Sequence, residues 1–204
     1  MNFELTPEQK MVRKVAREFV ENEVAPIAEE IDKTKRYPTE TFEKLGKYGM
    51  TGIPFPVEYG GAGGDEISKC IVLEEIAKKC GSTAAILSVH YVPTWMIYQY
   101  GTEEQKQKYL IPLVKGEHLG AFAVTEPGAG SDAGAAQTTA TLDGDHYILN
   151  GTKCFITGGG KADTYVIVAM TDKSKGTRGL SAFIVEKDTP GFSIGKIEDK
   201  MGIC

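Results

Sequence analysis

The stretch Val124 to Asp132 reads VTEPGAGSD, and with the next residue it sets Gly128, Gly130 and Ala133 at the G-x-G-x-x-[GA] spacing that cradles a dinucleotide pyrophosphate. That chemistry needs a buried parallel strand, then the glycine turn, then a helix whose N-terminus faces the phosphates. A strand-like GAFAVT leads in. What leads out, AAQTTATLDGDHYILN, carries strand and hairpin signals, and no acidic residue closes a second parallel strand. The nicotinamide-dinucleotide reading fails on this context, so the glycines serve another purpose.

The other reactive side chains are dispersed. Cys70, Cys80, Cys154 and Cys204 form no C-x-x-C pair, and His90, His118 and His146 show no H-x-x-x-H spacing, so no metal site is expected. The cysteines read as free thiols of a reducing compartment. A formal net charge of −5 argues against nucleic acid or an anionic membrane as the main partner. The N-terminal MNFELTPEQK is not a cleavable leader, and no apolar run reaches membrane length. The expectation is a soluble, cytoplasmic protein, with 204 residues enough to bury about 70% of the unfolded surface without staples.

Two halves of different period must position these residues. Thr6-Pro7-Glu8-Gln9 combines a capping box with proline at the first helical position. Val12, Val15, Ala16, Phe19 and Val20 continue a helical stripe that is expected to end at Pro26. A second helix follows Pro38 and stops near Gly49. After the loop-like IPFPVEYGGAGG, Ile67, Cys70, Ile71, Glu74 and Ala77 lie along a third helix. Ser82 is read as the cap of TAAILSVHYVPTWMIYQYG, kinked or broken at Pro93, and Thr102 to Gln105 form another capping box. From about residues 116–120 the pattern changes. TTATL, HYILN, TKCFIT, TYVIVAM, SAFIVEK and FSIGKI read as short strands separated by turns such as Asp143-Gly144 and Asn150-Gly151. The predicted architecture is α+β and multidomain: an all-α helical bundle over residues 1–118, then an antiparallel β-barrel or sandwich over 119–204.

AFAVTEPGAGSD followed by LNGTKCFITGGG resembles the two flavin-contacting segments of the acyl-CoA dehydrogenase family. GIPFPVEYGGAGG, GTEEQKQKYLIPLVKGE and DTYVIVAMT agree with it, in the family's order along the whole chain, and the likeness is strongest to bacterial short-chain (butyryl-CoA) members. The resemblance implies an FAD-dependent α,β-dehydrogenation of a short-chain acyl-CoA thioester, as in fatty acid metabolism, with electrons passed to an electron-transferring flavoprotein. It places Phe122, Ala123, Val124, Thr125, Gly130 and Ser131 on one wall of the flavin site, with Phe155, Ile156 and Thr157 on the other. Phe155 stands where the family more often has tryptophan and would stack on the ring, while the Thr157 hydroxyl would lie near its reactive nitrogen. Ser131 would also approach the substrate, and Val89, Val92 and Thr94 would floor the acyl pocket, although ordinary packing accounts for those three equally well. His90 reads as a local hydrogen-bonding residue.

The family's catalytic base is a glutamate of a C-terminal helical bundle, expected beyond Cys204. No glutamate present matches it, and the motif gives Glu126 a structural place. The chain therefore reads as the N-terminal and middle portion of such an enzyme, with the β domain incomplete and any homotetramer belonging to the full length. An acyl-CoA oxidase or flavin monooxygenase of the same architecture, or a non-catalytic flavin- or acyl-CoA-binding fragment, are the alternative readings.

Overall fold

The computed structural model describes residues 3–203, so Cys204 lies outside it. The chain divides into two compact units, 1–118 together with 197–204, and 119–196.

In the helical unit, α1 spans Pro7–Phe19 and is capped as its sequence predicts. Thr6 Oγ1 accepts the Gln9 backbone N–H at 3.2 Å and Gln9 Oε1 accepts that of Thr6 at 3.0 Å. The helix does not stop at Pro26, which corrects the sequence-based expectation. It passes through a π turn, Val20–Val24, and continues as α2, Ala25–Thr34, until Lys35 adopts a left-handed φ of 56°. Proline lacks an N–H and its ring crowds the carbonyl four residues back. The widened turn, in which the Ala25 N–H donates to the Val20 carbonyl, makes room for it. The same device recurs before Pro112: α6 (Glu103–Gln105), a π turn (Lys106–Leu110) and α7 (Ile111–Val114) form one run.

Between these lie α3 (Thr39–Lys47), α4 (Glu66–Ala77) and α5 (Gly81–Tyr100). Helix α5 is unbroken at Pro93, where Thr94 Oγ1 donates to the His90 carbonyl at 2.7 Å beside the missing N–H. Its cap is Cys80, whose sulfur accepts the Thr83 N–H at 3.5 Å, and not Ser82, which is buried inside the first turn. Leu45, Phe55, Ile76, Leu87 and Leu110 are fully buried and form the core. Burying a phenylalanine such as Phe55 contributes roughly 2–3 kcal/mol. Its ring also meets Tyr91, Trp95 and Tyr98, with centroids 6.0–6.3 Å apart. The loop 52–64 folds back on itself: Ala62 N–H reaches the Gly52 carbonyl at 3.0 Å and Gly64 N–H that of Ile53 at 2.8 Å. At Gly61 a Cβ would overlap the Phe55 carbonyl, so glycine is required there by close approach.

The β unit is built on β4, Thr164–Met170, which is buried along almost its whole length and has a strand paired on each edge. β1 (Gly120–Ala123) pairs parallel to it, Gly120 opposite Thr164, and β5 (Leu180–Glu186) pairs antiparallel on the other side. β2 (Thr139–Asp143) and β3 (His146–Asn150) form the hairpin expected at Asp143-Gly144, with Gly144 at φ 63°. β2 meets the end of β4 at Met170.

The helical-then-β architecture stands as read, with two particulars changed. The sheet is mixed and open: tight turns force antiparallel pairing only between consecutive strands, and some forty residues separate β1 from β4. TKCFIT and FSIGKI are not strands. Their β propensity is overridden by a left-handed backbone at Phe155 and by Gly191 at φ 84°.

Candidate functional site

The first wall of the candidate site grows from the end of β1. Phe122 and Ala123 are its last residues, half-buried and buried, and Val124 and Thr125 leave the sheet half-buried. Glu126 and Ala129 then exchange backbone hydrogen bonds of 2.9 and 3.1 Å around Pro127-Gly128, a tight turn that carries Gly130 and Ser131 outward, both exposed. A three-residue 3-10 turn, Ala133–Ala135, follows and leads into β2, so no helix opens after the glycines. A Cβ at Gly128 or Gly130 would meet nothing within 4 Å. The protein itself does not require glycine there. A surface stripped of side chains without an internal reason suits a ligand that lies close to the backbone.

The second wall is the segment between β3 and β4, and the structure brings it against the first. Cys154 N–H donates to the Thr125 carbonyl at 2.9 Å. Lys153 Nζ donates to the Val124 carbonyl at 3.0 Å and to Glu126 Oε1 at 2.7 Å. Glu126 also accepts the N–H groups of Gln137 at 2.6 Å and Thr138 at 3.0 Å. Both charged side chains are buried, 9% exposed for Lys153 and 5% for Glu126. Burial alone would raise the Glu126 pKa, but the Lys153 ammonium and the hydrogen bonds from residues 137 and 138 overcome that and bring it down to about 2. An ion pair so enclosed is a clamp between the two walls.

Phe155 follows the clamp. Its φ is 57° and its side chain is 73% exposed. A non-glycine residue in the left-handed region costs about 1–2 kcal/mol, and an aromatic ring left in solvent recovers none of it by packing. Backbone strain that the ring's own packing does not repay is the kind found at ligand-holding positions. Ile156 and Thr157 are half-buried, and Gly159 N–H closes a turn on the Ile156 carbonyl at 2.9 Å. Among the described residues, the hydroxyls of Thr125, Ser131 and Thr157 and the backbone N–H of Thr125 hold no partner in the protein. The site thus offers a flat apolar ring, an open backbone edge and unused donors. Those features match a planar heteroaromatic ligand that is apolar on its faces and polar along one edge.

Of the substrate-pocket residues, Ser131 belongs to this unit. Val89 and Val92 share one face of α5, three residues apart, half-buried and 40% exposed. Thr94 lies on another side of that helix, fully buried, with its hydroxyl committed to the His90 carbonyl. The structure therefore does not group it with the two valines. His90 is fully buried. Its Nε2 faces the Leu113 carbonyl at 3.0 Å, which makes that nitrogen the protonated one. Burial holds its pKa down at about 4 against the opposing carbonyl bond.

Sequence reasoning passed over Lys153. The signal was available: Glu126 is the sole charge from Leu119 to Ser131, and Lys153 the sole lysine or acid from Tyr147 to Gly160, each amid small and apolar residues. Among the described residues no cluster of histidine, cysteine and acidic side chains has the makings of a metal site, and no helix is long and apolar enough to cross a membrane.

Comparison with known proteins gives this arrangement its relatives. Residues 6–117 match the acyl-CoA dehydrogenase N-terminal domain and residues 121–204 the middle domain. A short-chain specific acyl-CoA dehydrogenase of Clostridium acetobutylicum is 61% identical over the whole chain, which covers 54% of that protein. The butyryl-CoA dehydrogenase structure of Megasphaera elsdenii superposes with a TM-score of 0.95 at 48% identity, covering 100% of this chain and 54% of that one. A chain in a structure of the electron transferring flavoprotein of Acidaminococcus fermentans superposes with a TM-score of 0.97 at 54% identity, again covering 100% and 54%. The chain spans about half the length of the curated relatives it matches.

Proposed function

The chain belongs to the acyl-CoA dehydrogenase family, and from that premise we propose that it forms the FAD-holding portion of an enzyme that oxidises short-chain acyl-CoA thioesters between their α and β carbons and passes the electrons to an electron-transferring flavoprotein. The observation that carries this reading is the cross-pinning of the two walls around Thr125, with Phe155 held out beside them. Phe155 would cover one face of the isoalloxazine ring. Thr125 and Ser131 would donate along its pyrimidine edge, and Thr157 would donate near the nitrogen that accepts hydride. Bound FAD supplies the two-electron acceptor that no side chain can provide. Short-chain specificity and the flavoprotein partner are supported by the named relatives in Clostridium acetobutylicum, Megasphaera elsdenii and Acidaminococcus fermentans.

Glu126 is not the base that removes the α-proton. A carboxylate held at about 2 by a buried ammonium and two backbone N–H groups is a poor proton acceptor near neutral pH, and its oxygens are already taken.

The test is an anaerobic absorption titration of the chain with FAD, followed by butyryl-CoA. Binding is expected to shift and sharpen the flavin bands, and Phe155→Ala to weaken that binding at least tenfold. A wild-type chain that leaves the flavin spectrum unchanged at stoichiometric concentration overturns the reading. Bleaching by butyryl-CoA would show dehydrogenation directly. Rapid reoxidation of the bleached flavin by air would identify an oxidase in place of a dehydrogenase.

A further inference from the structure

The buried pair does more than join two loops. Val124 and Thr125 lie side by side on the first wall, and the second wall holds the carbonyls on both sides of Thr125: Lys153 Nζ the oxygen of Val124 at 3.0 Å and Cys154 N–H that of Thr125 at 2.9 Å. Both peptide planes that meet at Thr125 are therefore fixed. No peptide bond among the described residues is cis, so the N–H of Thr125 points away from the Val124 carbonyl, opposite to Lys153. That N–H has no acceptor among the described residues.

Resting on the flavin reading above, we infer that Lys153 is a positioning residue: by hydrogen bonding to the Val124 carbonyl it aims and strengthens the Thr125 N–H as a donor to the edge of the flavin that becomes negative on reduction. A hydrogen bond accepted at one end of a peptide polarises the donor at its other end, by an order of 10–30% per link. Glu126 neutralises the ammonium as seen from a distance, so the effect is confined to the peptide that Lys153 touches. The carboxylate has its own anchors, the N–H groups of residues 137 and 138, which keep the pair in register. Two electrons and a proton add negative charge at the pyrimidine edge. A stiffened donor there holds the reduced ring more tightly than the oxidised one, and the midpoint potential rises accordingly.

Lys153→Met alone strands a buried carboxylate and is expected to unfold readily, so the informative variant is Lys153→Met with Glu126→Gln, which removes both charges and keeps the shapes. The measurements are the dissociation constant for oxidised FAD and the midpoint potential of the bound flavin. The double variant is expected to bind oxidised FAD within about threefold of wild type. It should lose about tenfold more affinity for the reduced form, seen as a potential about 30 mV lower for the two-electron couple. A double variant that binds flavin at the wild-type potential overturns the inference and leaves the flavin site standing. A double variant that unfolds like the single one makes the pair structural and overturns it too. A wild-type chain that binds no flavin overturns the site itself and the inference with it.

Discussion

Phe155 combines a left-handed backbone with a ring that is 73% exposed, and the two together separate stability from function at one residue. Glycine there removes the backbone strain of about 1–2 kcal/mol but adds unfolded-state entropy of about 0.5–1 kcal/mol. Phe155→Gly is thus expected to leave the denaturant midpoint of the β unit unchanged or slightly raised while costing at least tenfold in FAD affinity. A loss of more than about 2 kcal/mol would show that the ring packs for the fold. Glu126 behaves in the opposite way. Glu126→Gln keeps an acceptor for one N–H but leaves Lys153 charged and buried, so urea unfolding should show a loss of about 3–5 kcal/mol. A loss below 1 kcal/mol would mean that water reaches the pair.

At the scale of elements, the loop 52–64 and the proline-bearing helices decide what the chain tolerates. Gly61→Ala would push a methyl group into the Phe55 carbonyl and open the ladder of backbone bonds across the loop. A cost of about 2 kcal/mol or more is expected, read as a lower melting temperature of the helical unit; an unchanged value would show that the loop shifts freely. What was legible in the sequence follows the range of each signal. The capping boxes at Thr6 and Thr102 are local hydrogen bonds, and both form as written. Pro26 misled because a rule about one carbonyl cannot tell whether a neighbouring turn will widen, as it does there and again before Pro112. TKCFIT misled because threonine, phenylalanine and isoleucine favour strands, whereas Lys153 pairs with a carboxylate 27 residues away and the backbone is left-handed at Phe155. The flavin-wall segments were found by likeness to a family. Their clamp was visible only once distant residues met.

Over the whole molecule, each unit carries its own acid-sensitive group. His90 titrates near 4 when folded against an ordinary value of 6.5, so the unfolded helical unit binds more protons between those limits and stability falls as pH drops from 6.5 to 4, by about 3 kcal/mol in total. Glu126 has a folded value of about 2 against 4.5, so its stabilisation, also about 3 kcal/mol, is complete above 4.5 and is lost as pH falls toward 2. Acid is therefore expected to loosen the helical unit first and the β unit second. Helical circular dichroism followed from pH 7 to 2 checks the first step and amide hydrogen exchange along β4 the second, and His90→Gln should flatten the first. A single transition below pH 4 in the wild type would refute the assignment.

The aromatic cluster around Phe55 contains Trp95, the only tryptophan in the chain, and it belongs to the helical unit. Packed on Phe55 and Tyr98 yet 41% exposed, its indole sits at a boundary between ring and water where emission colour responds to small rearrangements. The molecule thus carries a natural fluorophore in one unit and none of that kind in the other. Tryptophan emission will therefore report on the helical unit, and no label has to be introduced to watch it.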